Sequence, residues 1–311
     1  MLKQNIETYL TTLRVADMSP LTLKSYRYEL ETFAAFVGPE VDVRDISVPV
    51  VRAHLHRLAF KGLCAKSRNH ALAVLKAFGK FLVNEDLVGD DVFEVIPRAK
   101  MPQRLPDPPT VEVMNRLLDG EMPTRWPARD RALIELLYGT GARVSEAANI
   151  HLADIRGNLI LIHGKGDKER LVPIGGALRR ALEVYLPERK RRLRTIGQES
   201  DALFFSLSNQ NKLQSPAPLD VRSVWRILHD ACVAKEIKPL HPHALRHACA
   251  THMLDNGASL IVIQKLLGHA KLSTTSLYAF VSTASMQRAY SLAHPSCRNV
   301  PVRTGAASPA A

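Results

Sequence analysis

The first hundred residues carry their apolar positions at helical spacing. Ile6, Tyr9, Leu10 and Leu13 form one stripe, and Leu23, Tyr26, Leu30, Phe33 and Val37 form a second at alternating steps of three and four residues. Apolar residues recurring at that period among polar ones predict amphipathic helices with one buried face each. Ser19 ahead of Pro20 supplies a cap and a favoured first-turn proline for the second helix. Val51, Leu55 and Leu58 predict a third helix behind Asp45 and Ser47, and Leu72, Leu75, Phe78 and Leu82 a fourth capped by Ser67. Residues 1–96 therefore read as a small helical bundle.

The pattern breaks between residues 97 and 109, where PRAKMPQRLPDPP holds five prolines in thirteen residues. Proline removes backbone donors and biases the residue before it toward extended conformations, so neither a helix nor a central strand survives there. This stretch is expected to be a linker between two domains.

Helical spacing resumes after it. Thr110 to Leu118 predicts a short capped helix, and Pro127 to Tyr138 a longer one ending at Gly139-Thr140-Gly141. ARVSEAANI predicts a helix with Arg143 near its start and Glu146 one turn later. Leu159 to His163 and Arg170 to Ile174 are strand-like, and the glycine-rich turn GKGDK between them projects Lys165. Further helices are expected at Leu178 to Tyr185 and Val221 to Ala234. Pro242 opens another that runs to about Met253 and puts His243 and Arg246 on one face at i and i+3. Leu260 to Leu267 is almost wholly apolar, and Gly268 stands where a left-handed cap would end it, with His269 next. Ser273, Thr274 and Thr275 offer a cap for one more short helix containing Tyr278. The second domain is placed at 110–295, and residues 296–311, ending TGAASPAA, read as a disordered tail. The expected fold class is mainly α with a small antiparallel β-sheet.

Composition narrows the function. With 46% hydrophobic and 23% charged residues the 311-residue chain is of globular type. No apolar run approaches the roughly 20 residues needed to cross a bilayer, and the amphipathic start with Glu7 is unlike a signal peptide. A cytoplasmic protein without a membrane partner is expected. The four cysteines form no CxxC pair, which argues against a disulfide framework or a structural zinc site. The net charge is +12, and residues 101–311 hold 28 Lys and Arg against 18 Asp and Glu, so most of the excess lies in the second domain. Such an excess points to a polyanionic partner. Lys24, Arg27, Lys61, Lys66, Arg68, Lys76 and Lys80 could line a phosphate-facing side of the first domain, or simply be solvated helix faces. The same choice holds for the run RKRRLR at 189–194.

Several chemistries are absent from the sequence. It holds no GxxxxGK[ST] loop, no GxGxxG after a strand, no HExxH, and no carboxylate cluster suited to two metals. His243 and His247 have metal-ligand spacing, but no third ligand accompanies them, so no metal is expected. What remains suits metal-free phosphoryl transfer. Guanidinium groups match the charge that grows on a phosphodiester under attack, and Arg143 and Arg246 are candidates for that clamp. Tyr278 can serve as a hydroxyl nucleophile, His243 as the acceptor of its proton and Lys165 as the acid for the leaving alkoxide, with His269 adding a hydrogen bond. Each has an ordinary alternative: Arg143 could pair with Glu146, Tyr278 could be core, and the histidines could be buried and satisfied.

The segments GTGARVSE, GKGDKERLVPI, HPHALRHACATHML and LLGHAKLSTTSLY resemble, in order and spacing, the motifs of the tyrosine recombinase (phage integrase) family, most closely its Xer-type members. The resemblance covers essentially the whole chain. It implies an N-terminal helical, SAM-like core-binding domain joined to an α+β catalytic domain, together gripping DNA as a C-shaped clamp. It also implies a catalytic set of Arg143, Lys165, His243, Arg246, His269 and the nucleophile Tyr278, with Glu146 in support. The implied reaction makes a 3′-phosphotyrosyl link without metal, ATP or other cofactor. The implied partners are double-stranded DNA with specific recombination sites, a homo- or hetero-tetramer on that DNA and possibly a second recombinase. Ser285 to Leu292 would be the segment that docks on a neighbour. One departure is Tyr278-Ala279-Phe280, where Xer-like chains often read Tyr-Thr-His. Two other readings share part of the pattern: a helix-turn-helix regulator built on LIVIQKLLGHAKLSTTSLY, and a type IB topoisomerase, which shares the chemistry.

Overall fold

Residues 1–101, 108–164, 168–206, 216–268 and 283–297 are described by the computed structural model. They fall into two units, Met1–Leu105 and Pro106–Ala311. In the first, α1 (Leu2–Val15), α2 (Pro20–Val37), α3 (Val48–Phe60) and α4 (Ala65–Asn84) pack around one core. Leu30 and Phe33 of α2 meet Leu72, Leu75, Phe78 and Leu82 of α4, all buried, and Tyr9 of α1 closes the core against Phe78 and Phe81. Ser19 caps α2 as its sequence position implies, its Oγ accepting from the Thr22 amide at 3.3 Å. The expected cap of α4 is corrected: the helix begins a turn earlier, with Cys64 as the cap residue and Ser67 inside the first turn. Ala65 and Lys66 are good helix formers, and Cys64 takes the extended backbone that a cap position requires.

Gly79 sits where the segment after α4 crosses it. A Cβ at that position would strike Asp91 and Phe93, so the crossing needs a residue without a side chain. Beyond the crossing the chain is pinned again. The Asn69 side chain donates to the Ala99 carbonyl at 2.9 Å and accepts from the Ala99 amide at 2.8 Å, as a neighbouring strand would.

The second unit contains α5 (Val111–Leu118), α6 (Pro127–Thr140), α7 (Val144–Ala148), β1 (Ile155–Arg156), β2 (Leu159–His163) and β3 (Glu169–Pro173). They are followed by α8 (Gly176–Thr195), α9 (Val221–Ala234), α10 (Pro242–Asp255), α11 (Leu260–Leu267) and α12 (Thr283–Ala293). The sheet is antiparallel in the order β1-β2-β3, with Ile160 opposite Val172 and Ile162 opposite Arg170. Strand β1 is a two-residue addition that the sequence pattern is too short to reveal. Helix α6 is central: Ala132 to Leu137 are buried on every side, with α8 and α10 its main neighbours and α5, α7 and α9 beside them.

Helix α8 continues well past Tyr185, through Pro187, and takes in the basic run at 189–194. Arg189 in that run is not a solvated cation. It is buried, with Nη2 donating to the Ser200 carbonyl at 2.8 Å and Nε to that of Leu203 at 3.1 Å, and its guanidinium lies over the Phe205 ring at 5.4 Å. Lys190, Arg191 and Arg194 are exposed.

In the single chain, the segment expected to dock on a neighbour packs on its own unit. Met286, Tyr290 and Ala293 of α12 are buried, and the Tyr290 hydroxyl donates to the Gly139 carbonyl at 2.8 Å. Room for that ring comes from Gly139 and Gly175, where a Cβ would stand 3.3 and 3.1 Å from the Tyr290 hydroxyl oxygen. Among the described residues no helix is long and apolar enough to cross a membrane, and no group of three His, Cys, Asp or Glu side chains is placed to hold a metal ion.

Candidate active site

Helix α6 ends in Gly141, whose φ of +59° is the left-handed conformation that turns the chain out of a helix. A Cβ there would lie 2.5 Å from Leu267 Cδ2, so the end of α6 abuts the end of α11. Two residues on, Arg143 is the cap residue of α7. Arginine has no acceptor, so the cap is one-sided: Glu146 Oε2 accepts from the Arg143 amide at 2.8 Å, and Oε1 accepts from its guanidinium at 2.6 Å. The carboxylate is buried while the Arg143 side chain stays 45% exposed, so the guanidinium is aimed but still open to solvent.

A residue absent from the expected set completes this arrangement. Arg170 of β3 donates through Nη2 to Glu146 Oε2 at 2.7 Å and through Nε to the Leu266 carbonyl at 2.8 Å. Burial alone would raise the Glu146 pKa, but the Arg170 hydrogen bond, the Arg143 amide, the Arg170 charge and the Arg143 guanidinium hydrogen bond outweigh it and hold the carboxyl at about 2. Glu146 is therefore a fixed anion between two arginines. The signal for Arg170 was present in the sequence: ERLVP alternates, so Arg170 shares the inward face with Val172, and a cation on a buried face must be paired.

Helix α10 contributes the second arginine. His241 caps it, Nδ1 accepting from the Ala244 amide at 3.0 Å, and Pro242 takes the first turn. Arg246, one turn in, is buried and donates to the Gly141 carbonyl at 2.6 Å and the Leu267 carbonyl at 2.8 Å. These bonds tie α10 to the residue two before Arg143 and to the residue two before His269. Burial, with help from the Arg143 and Arg170 charges, brings the Arg246 pKa down to about 10, which leaves it charged at neutral pH. His243 is on the exposed side of the same first turn. Its pKa is lowered by partial burial and then by Arg246, His241, His247 and Arg143, which favours the neutral imidazole that can accept a proton. The rings of Trp225, His241 and His243 form a file at centroid spacings of 6.0 and 6.4 Å.

The structure thus gathers Arg143, Glu146 and Arg246 around the Gly141 turn, with His243 near enough to feel the charges of both arginines. Lys165, His269 and Tyr278 lie outside the described residues, as does the cap expected at Ser273 to Thr275. The base of the hairpin that carries Lys165 is described: the Gly164 amide donates to the Lys168 carbonyl at 2.7 Å, and His163 is held at 3.0 Å by Asp154 and by Glu169.

The basic residues of the first unit divide. Arg27 pairs with Glu7 and, at 3.3 Å, with Glu31, so its charge is neutralised within the fold. Arg68 donates to the Leu63 carbonyl at 2.7 Å and Lys76 to that of Glu94 at 2.8 Å. Lys24, Lys61, Lys66 and Lys80 are exposed. Lys76 and Lys80 line, with Arg98, an open groove of about 610 Å³.

Comparison with known proteins bears on both units. Residues 110–284 match the phage integrase family, and residues 6–86 match the phage integrase N-terminal SAM-like domain. The chain is 32% identical over 302 residues to the tyrosine recombinase XerD of Oceanobacillus iheyensis, covering 95% of this chain and 99% of that one. It is 37% identical over 286 residues to the tyrosine recombinase XerC of Myxococcus xanthus, covering 89% and 92%. Among solved structures, the lambda integrase tetramer bound to a Holliday junction superposes with a TM-score of 0.67 at 20% identity, over 88% of this chain and 78% of that one. This last likeness is one of fold.

Proposed function

The chain belongs to the phage integrase family, and from that premise we propose that it is a tyrosine-type site-specific recombinase that cuts and rejoins duplex DNA through Tyr278. The observation that carries this reading is the meeting of Arg143 and Arg246, from elements about a hundred residues apart, with a neutral-leaning His243 beside them. Two guanidiniums are a clamp for the non-bridging oxygens of a phosphodiester. Tyr278 attacks the phosphorus, its proton passing to His243, and the bond to the 5′ oxygen breaks as Lys165 protonates that oxygen. His269 donates to the phosphate. The free 5′-hydroxyl of the exchanged strand reverses the step, so bond energy is kept in the phosphotyrosyl link and neither metal nor ATP takes part.

The first unit holds the duplex mainly through phosphates, with Lys24, Lys61, Lys66 and Lys80 the exposed candidates and Lys76, Arg68 and Arg27 already engaged within the fold. The assembly on DNA is a tetramer of this chain or of this chain with a second recombinase, a reading supported by the tetrameric lambda integrase neighbour. The setting is the cytoplasm, in keeping with four free cysteines. A helix-turn-helix regulator would have no use for Arg143 fixed by Glu146 beside Arg246.

The test uses a pool of duplexes with a randomised centre. Purified protein incubated with the pool is denatured, and protein–DNA adducts that survive are recovered and sequenced. The wild type is expected to yield adducts enriched in one site and Tyr278→Phe none. Equal recovery from the two proteins would overturn the assignment.

A further inference from the structure

Arg170 has too many partners for an ordinary strand residue. Its side chain is 10% exposed, opposite Ile162 on the inner face of the sheet. A guanidinium this buried is costly unless its donors are used, so where they go shows what the residue holds. One goes to Glu146, whose two oxygens also hold the amide and the guanidinium of Arg143. Another goes to the Leu266 carbonyl at the end of α11. Its aliphatic stem covers Gly268, where a Cβ would stand 3.1 Å from Arg170 Cδ, and His269 is the next residue. The strand that bears Arg170 begins four residues after Lys165.

We propose that Arg170 is a positioning residue for phosphoryl transfer: by joining Glu146 to the end of α11 it fixes the Arg143 guanidinium relative to the helix that precedes His269 in the chain, and it anchors the strand that follows Lys165. This inference rests on the recombinase reading above. Arg170 itself need not touch DNA. Arg246 ties the end of α6 to the same helix end through Gly141 and Leu267, so two guanidiniums from different elements fasten consecutive carbonyls, Leu266 and Leu267. Loss of Arg170 leaves the Arg246 link intact but frees Glu146 and the hairpin from it. The fold is then expected to persist while the relative placement of the reacting groups loosens.

The experiment compares the wild type, Arg170→Met and Arg170→Lys on a duplex recovered by the selection above and nicked so that cleavage cannot reverse. The rate constant and the final amplitude of adduct formation are measured at saturating DNA, together with DNA affinity. Methionine fills similar volume without donors, and the rate constant is expected to fall about 100-fold with amplitude and affinity within about twofold. Lysine keeps the charge but cannot span both acceptors, and about a 10-fold loss is expected. A merely structural role would lower the amplitude, as misfolded protein accumulates, and leave the rate constant of the remainder unchanged. That result, or an Arg170→Met rate within about threefold of the wild type, would overturn the inference. Failure of the wild type to form any adduct would remove the recombinase reading and this inference with it.

Discussion

His294, just past α12, is fully buried between the rings of Tyr290 and Tyr138, with both centroids 4.9 Å away. Its Nδ1 accepts from the Ser296 amide at 3.1 Å, while Nε2 has no hydrogen-bond partner among the described residues. Burial pushes its pKa from 6.5 down to about 3, opposed by the Tyr138 backbone and reinforced by His252. The unfolded chain takes up this proton near pH 6.5 and the folded chain only near pH 3, so the neutral ring's contribution is complete above pH 6.5 and is lost as the pH falls toward 3. The slope in that window is about 1.4 kcal/mol per pH unit, which makes the loss from pH 7 to pH 5 about 2 kcal/mol. His54 in the first unit, held at about 4 mainly by burial, adds an acid sensitivity of its own, so the probe must be local. Both tryptophans, Trp126 and Trp225, lie in the second unit and supply one. Urea unfolding followed by tryptophan fluorescence should show the wild type losing about 2 kcal/mol more than His294→Gln between pH 7 and pH 5. The lowered pKa of His252 is shared by both proteins and cancels in the difference. Equal losses in the two proteins would refute the reasoning.

Two further outcomes follow from buried geometry. Arg189→Gln strips donors from the Ser200, Ala202 and Leu203 carbonyls and should cost about 3 kcal/mol in urea unfolding. It should leave the salt dependence of DNA binding unchanged between about 50 and 200 mM, because this arginine is turned inward. Gly141→Ala demands a left-handed alanine and drives a methyl into Leu267, so thermal unfolding should report a loss above about 2 kcal/mol. The same substitution should slow adduct formation, since Arg143 starts from that turn.

Element ends were well marked in the sequence because their signals are local. Thr110 accepts from the Val113 amide, Ser19 from that of Thr22, and Gly141 and Gly268 adopt the left-handed caps. The helix carrying His243 and Arg246 and the hairpin around Lys165 were equally visible, because periodicity switches from 3.6 to 2 and back across them. What escaped depends on partners far along the chain. Arg189 looked like one more charge in a run, and its burial follows from carbonyls 11 to 14 residues ahead that no local pattern announces. Arg170 belongs to no motif of its own and follows a glycine-rich loop that does, although its place on the inner face is written in the alternation of ERLVP. The resting place of α12 was hidden for a third reason: Gly139 and Gly175 make the slot for Tyr290 by lacking side chains, and an absence leaves no signal in a hydrophobic pattern.

The grip of Asn69 on Ala99 fixes where the first unit ends and the tether to the second begins. Both hydrogen-bonding positions of the Ala99 peptide are held, so the chain stops being part of the first unit only after that residue. The path from there to Thr110, where α5 is capped, spans at most roughly 36 to 40 Å even when fully drawn out. On the recombinase reading, a tether of this reach determines how concentrated one unit is around a duplex held by the other: the concentration is greatest when the tether matches the span between the two holds and falls with about the −3/2 power of length beyond it. Each residue captured by the first unit is taken out of the tether. On that reading, one asparagine on α4 thereby sets the length of the tether between the first hold on DNA and the second.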